Sequence, residues 1–415
     1  MIGKIFNPIK RPLLNMALIL LSVLVVIILL EVLLRFTHYS KIISKNEEFR
    51  NYFRSDPNKG FDIQANIDKF QSNTDDEIYF QIWSNEIGCF DEPYKGEKDY
   101  ILLIGDSFSH GHVPFADKWG SQIETLLEYR VLKCAVPGYG TKQEFLKAKE
   151  IIELTDTSPR VIILGYCLND LEDDYIFPRY AVVDGYMVNS KELVNVETGE
   201  TRLRKDLEEK FGLLSSGLFI KIKNFIKRNS IIGRLLISSI KDKYLESPPH
   251  KNLYENLFLS FLDFKWIDNA WEEHFKNIKN IESVATENNA KLLIIIIPTK
   301  EQVYPFLFDW KGVGLDYERP NKKIINFFNK EGFNYIDLLP LFKEFANQKP
   351  RKLLSPNDDF YWRYDGHWSV NGEHLVALLV AKYILENNMI AITGKAERLK
   401  IINNKLQEFR EKNCY

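Results

Sequence analysis

A serine in a glycine-led turn at the end of an apolar run, and a histidine two residues after an aspartate, are parts from which a nucleophilic site can be assembled. In this chain the run ILLIG beginning at residue 101 leads straight into Asp106, Ser107, Phe108 and Ser109. Such a turn exposes the hydroxyl and leaves the Ser107 backbone N–H to donate to a developing oxyanion. Gly, Asp and Ser are ordinary turn residues, so this block takes its meaning from its company. In VPGYGT, Gly138 follows a second apolar run and lets the backbone approach a substrate closely. In LGYCLND, Asn169 follows a third run and can aim its amide at the same oxygen. YDGHWS completes the set: His367 can take the Ser107 proton, and Asp365 can hold the imidazole tautomer and stabilise its charged form. Alone, each reads as a turn serine, a turn glycine, a capping asparagine or a satisfied loop histidine. Together they describe acyl transfer through an acyl-serine, with Ser107, Gly138 and Asn169 as oxyanion donors.

Other clusters carry less. His110 and His112 flank the serine turn but lack a third ligand, and read as loop residues. Asp170, Glu172, Asp173 and Asp174 read as a solvated face rather than a cation site. Trp368 can stack on a sugar ring or pack beside His367. The proposed chemistry needs no cofactor and no metal.

The elements that must position these residues can be read from hydrophobic pattern. Apolar runs at 101, 131, 161, 292 and 333 alternate with helix-like stretches near 117–130, 141–154, 268–288, 320–330 and 371–386. Continuous β-rich runs separated by amphipathic helices predict a parallel sheet covered on both faces, a three-layer α/β/α sandwich. Ligands in such folds lie at the carboxyl ends of the strands, where all four blocks fall. A segment of different character, about 172–265, interrupts the alternation. YAVVDGYMVN reads there as a hairpin, and residues 205–245 mix Leu, Ile and Phe with Lys and Arg, a basic-faced stretch that can also serve as a lid or a headgroup contact.

GDSFS, VPGYG, GYCLND and DGHW, in this order and at strand ends, resemble the SGNH (GDSL) hydrolase family over residues 98–386. The resemblance implies a flavodoxin-like α/β/α fold and a serine esterase or acyltransferase, with Ser107, Gly138, Asn169 and His367 as its named residues. Two departures stand out. Many members carry the acid three residues before the histidine, where this chain has Tyr364, the acid here being Asp365. Phe90 stands where similar proteins often have arginine. The D-x-H-W form and IIPTKEQVY at 296–304 look like a membrane-associated branch that includes alginate O-acetyltransferase-like proteins. That likeness implies transfer of an acyl group, acetyl first of all, on a cell-surface carbohydrate, with a multispanning acyltransferase partner supplying the acyl donor.

Composition sets the outer limits. The chain has 415 residues, 45% hydrophobic and 13% aromatic, enough for a full core. Its 55 basic and 57 acidic side chains nearly cancel, which argues against a nucleic-acid partner. Cys89, Cys134, Cys167 and Cys414 lack metal-site spacing and read as free thiols, with a single bridge left open. Residues 13–36 are almost unbroken Leu, Ile and Val, long enough as a helix for the ~30 Å hydrocarbon layer. The expected organisation is therefore a cytoplasmic N-terminus at 1–12, a transmembrane anchor at 13–36, and a stalk or packed extension at 37–97. An extracytoplasmic hydrolase domain at 98–386 and a helical tail at 387–415 come after it. Two other readings stay open: a catalytically silent carbohydrate-binding or scaffolding subunit of an envelope assembly, and a lipid-ester hydrolase of the lysophospholipase type.

Overall fold

The computed structural model describes residues 7–36, 49, 51–74, 78–183, 185–195, 197–203, 230, 232, 258–312, 314–346, 360–362 and 365–413. The chain divides into two units, Met1–Arg50 with Lys205–Asn252 and Asn51–Arg204 with Leu253–Tyr415. In the first, helix α1 runs Asn7–Arg35. Its Leu18, Ile19, Leu29 and Leu33 side chains are exposed, while Glu31 accepts from the Ser230 hydroxyl at 2.9 Å and the Ile232 N–H at 3.1 Å. The expected span at 13–36 is thus helical. Among the described residues, however, no helix is long and apolar enough to cross a membrane. Most of the basic stretch at 205–245, and Cys414, lie outside the described residues.

The second unit begins with β1 (Phe53–Asp56), β2 (Gly60–Ile63), β3 (Phe70–Asn73) and β4 (Tyr79–Ile82), then β5 (Ile101–Gly105), α2 (Ser107–His110), α3 (Trp119–Leu127) and β6 (Val131–Lys133). It continues through α4 (Thr141–Thr155), β7 (Val161–Cys167), α5 (Asp170–Tyr175), β8 (Tyr180–Val183), β9 (Tyr186–Asn189), β10 (Lys191–Asn195) and β11 (Glu200–Leu203). The remaining elements are α6 (Lys265–Glu287), β12 (Lys291–Ile297), α7 (Lys300–Val303), α8 (Arg319–Glu331), β13 (Tyr335–Asp337), α9 (Leu338–Phe345), α10 (Val370–Glu386) and α11 (Lys395–Asn413).

The central sheet has the order β13-β12-β7-β5-β6, and every pair in it is parallel. Counted along the chain this is 2-1-3-4-5, the flavodoxin-like doubly wound order, with its switch point between β5 and β7. The two-residue period of the strands sorts the core onto two faces. Ile101, Leu103, Ile163, Leu293 and Ile295 pack with Trp119, Leu339, Leu378 and Ile402, so α3, α9, α10 and α11 cover one side. Leu102, Ile104, Ile162, Leu164 and Ile294 pack with Ile151, Ile278 and Phe328, so α4, α6 and α8 cover the other. Because both faces are buried, these strands carry no polar alternation, which is why they read as continuous apolar runs.

Among the described residues, four two-stranded pairs surround the sheet: β1-β2, β3-β4, β8-β9 and β10-β11, each antiparallel. The first two form residues 51–82 into part of the second unit. Tyr139 donates to the Phe61 carbonyl at 2.7 Å and Gln143 to the Lys59 carbonyl at 2.7 Å, tying this segment to the end of β6 and the start of α4. Cys89, a few residues beyond β4, and Cys134, at the end of β6, form a disulfide, which corrects the reading of both as free thiols; Cys167 is free and buried.

Candidate active site

Strand β5 ends in Gly105, whose φ of +149° is a conformation side chains rarely adopt; a Cβ there would stand 2.9 Å from the Gly165 carbonyl oxygen. The tight passage delivers Ser107 as the first residue of α2, where its N–H lies outside the intrahelical ladder. Asp106 caps this turn, accepting the Phe108 N–H at 3.0 Å. Burial raises the Asp106 carboxyl above its ordinary range, against the lowering effects of that N–H, the His367 charge and the Asn169 amide.

The histidine arrives on the loop before α10. Tyr361 and Trp368 bridge across its base, the Trp362 N–H donates to the His367 carbonyl at 2.9 Å, and Ser369 caps the helix beyond it. Tyr361 donates to the Pro298 carbonyl at 2.8 Å and Lys300 to the Trp362 carbonyl at 2.6 Å, so the PTK motif after β12 fastens this loop to the sheet. Trp362 Nε1 donates to the His112 carbonyl at 3.2 Å, joining it to the segment after α2.

His367 Nε2 then stands 2.7 Å from Ser107 Oγ, and Nδ1 stands 2.5 Å from Asp365 Oδ1, which also accepts the His367 backbone N–H at 2.8 Å. With Nδ1–H donating to the carboxylate, Nε2 is the acceptor for the serine proton. Burial alone would raise the Asp365 carboxyl. The hydrogen bond from His367 and the His367 charge overcome it and hold the group well below the ordinary range, so it stays ionised.

Gly138 and Asn169 come to the same end of the sheet. The Val136 N–H donates to the Gly105 carbonyl at 3.0 Å, drawing the β6 loop against the serine turn, and Gly138 has a φ of +80° with Tyr180 lying over it. Asn169, at the end of β7, donates from Nδ2 to Asp106 Oδ2 at 3.3 Å and to Asp173 Oδ2 at 2.8 Å. Ser107, Asp365 and His367 are therefore in direct contact, and Asn169 reaches the serine turn through Asp106. Trp368 is 1% exposed and packs against Phe108 and Phe342, so it is a core side chain and offers no face to a sugar.

Three features escaped the sequence. His112 stacks on His367, ring centroids 4.0 Å apart and planes 9° from parallel. Burial and the His367 charge push its imidazole down to about 3, so it stays neutral in mildly acidic and neutral solution. His110 is buried against Phe90 and bonded to the Tyr52 hydroxyl at 2.9 Å, which also gives Phe90 its role as packing. The acidic run after Asn169 is mostly buried: Asp170 accepts the Cys167 N–H, Asp173 meets Asn169 and Arg179, and Asp174 meets Lys142, Asn277 and His274. Only the placement of that run directly after a site asparagine hinted at it.

Among the described residues, two groups place potential metal ligands close together, His112–Asp365–His367 and Asp56–Asp62–Glu150. In the first, the rings lie in parallel planes and His367 spends both nitrogens on Asp365 and Ser107, whereas a metal is bound in the plane of each imidazole. In the second, Lys59, Lys147 and Arg54 already supply the positive charge. Neither donor set fits a metal.

No family model matches the chain, and no curated protein matches it in sequence. Solved structures similar to it include a member of the lipolytic G-D-S-L family from Veillonella parvula, 12% identical, covering 67% of this chain and 94% of that one with a TM-score of 0.33. A GDSL-like lipase from Bacteroides thetaiotaomicron is 12% identical over 72% of this chain and 92% of its own, TM-score 0.32. A catalytic mutant of an acetylxylan esterase from Geobacillus stearothermophilus is 12% identical over 68% and 93%, TM-score 0.33. A likeness this slight says nothing of chemistry, which rests on the geometry of the site itself.

Proposed function

We propose that this chain is a serine esterase or O-acyltransferase of the SGNH kind that works through an acyl-serine. The observation that carries the reading is the continuous line from Ser107 Oγ through His367 to Asp365, with contacts of 2.7 and 2.5 Å. In the first step Ser107 Oγ bonds to the ester carbonyl carbon as its proton passes to His367 Nε2. The Ser107 and Gly138 N–H groups and the Asn169 amide hold the oxyanion. Collapse releases the alcohol, which leaves with the proton from Nε2. In the second step water or a sugar hydroxyl gives its proton to Nε2 and attacks the acyl carbon; the bond to Ser107 Oγ then breaks and Oγ takes the proton back from Nε2. Full-length protein in detergent should release p-nitrophenol from p-nitrophenyl acetate and label with a fluorophosphonate, and Ser107→Ala should lose both, with activity down by roughly 10³-fold or more. Absence of both in folded wild-type protein would turn the reading to a silent binding subunit.

The finer reading is a cell-surface carbohydrate substrate, with a sugar hydroxyl as acceptor and a multispanning acyltransferase as donor partner; it rests on the D-x-H-W resemblance. Acetylated oligosaccharide among the products would separate transfer from hydrolysis. Anchoring through residues 13–36 with the catalytic unit outside the cytoplasm is supported by the exposed apolar side chains of α1 and by the Cys89–Cys134 disulfide, since such bonds persist in oxidising compartments. Release from membranes by alkaline carbonate would refute the anchor.

A further inference from the structure

The hairpin inserted after β7 meets one of the three groups assigned to the oxyanion directly and a second through Asp173. Tyr180, the first residue of β8, lies over Gly138, where a Cβ would come within 3.0 Å of the ring. Arg179, one residue earlier, reaches the other side of the site. Its Nη1 donates to Asp173 Oδ1 at 2.9 Å and its Nη2 pairs with Glu172 Oε1 at 3.0 Å. The remaining oxygen of Asp173 accepts the Asn169 amide at 2.8 Å.

Geometry gives this chain of contacts a direction. An amide nitrogen carries two hydrogens, and on Asn169 one goes to Asp173 and the other to Asp106 at 3.3 Å. The shorter bond fixes the plane of the amide. The longer and weaker one, beside Ser107, is the hydrogen left for an oxyanion, which can replace Asp106 as its acceptor while the first bond holds. Asp173 is 2% exposed on its side chain and Arg179 25%, so the carboxylate that holds the amide depends on the guanidinium for its charge. Burial raises Asp173 to about 7 even with Arg179 beside it. Without the guanidinium the carboxyl would keep its proton, and a protonated oxygen facing the amide would offer a donor where an acceptor is needed. Arg179 is itself fixed, since the Ser190 N–H donates to its carbonyl at 2.7 Å across the hairpin.

We infer that Arg179 is a positioning residue for acyl transfer: through Asp173 it holds the Asn169 amide in the orientation that meets the oxyanion, so the inserted hairpin completes the site. This rests on the serine-esterase reading above, in which Asn169 is a donor.

The test uses the full-length protein and p-nitrophenyl acetate, with Arg179→Ala, Arg179→Lys, Asn169→Ala and the double variant Arg179→Ala/Asn169→Ala, each checked for folding by its thermal transition. Removal of an oxyanion donor typically costs roughly 10²–10³ in kcat. Arg179→Ala, acting at one remove, should lower kcat about 10-fold or more and move KM less than about two-fold. Arg179→Lys, which keeps the charge, should recover most of the loss. In the double variant the two losses should not multiply, because Arg179 has nothing to position once the amide is gone. A folded Arg179→Ala with wild-type kcat, or a double variant whose losses multiply, would overturn the inference. Should Arg179→Ala fail to fold, Arg179→Gln, which keeps much of the side chain's length but not its charge, alone and combined with Asn169→Ala supplies the same cycle. A wild-type rate no higher than that of Ser107→Ala would instead sink the esterase reading and the inference with it, an outcome distinct from an active enzyme indifferent to Arg179.

Discussion

Two acceptors compete for the Ser107 proton. His367 Nε2 lies at 2.7 Å and Asp106 Oδ2 at 3.4 Å, and a hydrogen bond at the longer distance is weak. The proton therefore goes to the imidazole, whose far side is held by an ionised Asp365. What remains is the face of the ring, and His112 covers it. A neutral ring stacked on an imidazole that becomes charged during acylation stabilises that charge through its π face, and aromatic pairs of this kind contribute about 0.5–1.5 kcal/mol. His112→Ala should accordingly lower kcat/KM by roughly 2- to 12-fold, and His112→Phe, which keeps a flat ring, should recover most of it. Steady-state kinetics on p-nitrophenyl acetate read both. If alanine and phenylalanine behave alike, the stacked ring contributes nothing to the chemistry.

Among the elements, the disulfide joins the segment that carries Phe90 to the strand end that leads into Gly138, closing a stretch of 45 residues. A loop of that length lowers the entropy of the unfolded chain by an amount equivalent to about 4 kcal/mol. Cys89→Ser with Cys134→Ser should destabilise the second unit by about 2–5 kcal/mol in urea melts, and reduction of the wild type should reproduce the shift. A double variant that melts with the oxidised wild type would remove the bond from the account of stability. This pairing was not legible in the sequence, because it joins positions far apart whose approach is set by the β6 end. The strands β5, β7 and β12 were legible, since burial on both faces leaves an uninterrupted apolar run. The hairpins β1-β2 and β3-β4 were not. Their four-residue strands are only partly buried, as in the alternation of Tyr79–Ile82, and they are held by distant partners such as Tyr139 and Gln143. The site divides the same way. Ser107, Gly138, Asn169 and His367 stood out because each lies at an element end. His112, Asp173 and Arg179 act through contacts that exist only once the fold has formed. The run from Asp170 to Asp174 reads as a solvated face until Cys167, Asn169, Lys142 and Arg179 supply its donors.

For the molecule as a whole, that inward-turned acidity has a consequence for stability. Glu144, in the first turn of α4, is fully buried, and neither of its side-chain oxygens has a hydrogen-bond partner among the described residues. Burial, and then the negative charges of Asp106, Asp174 and Asp173, raise its carboxyl well above the ordinary range. A folded-state value above the unfolded one means that the native protein binds this proton more tightly than the unfolded chain. The contribution to stability is fully present below the ordinary value near 4.5 and is lost as pH rises toward the folded-state value, at about 1.4 kcal/mol for each pH unit between the two. Glutamine at this position is nearly the same shape and cannot ionise. Glu144→Gln should melt close to wild type at about pH 4.5, where the carboxyl is half protonated even in the unfolded chain. It should be the more stable protein at about pH 7.5, the gap widening from about pH 4.5 upward until the native carboxyl itself ionises. Thermal melts followed by circular dichroism across that range measure the gap. A constant difference, or one that narrows as pH rises, would show that Glu144 ionises in the native protein with a partner that compensates its burial.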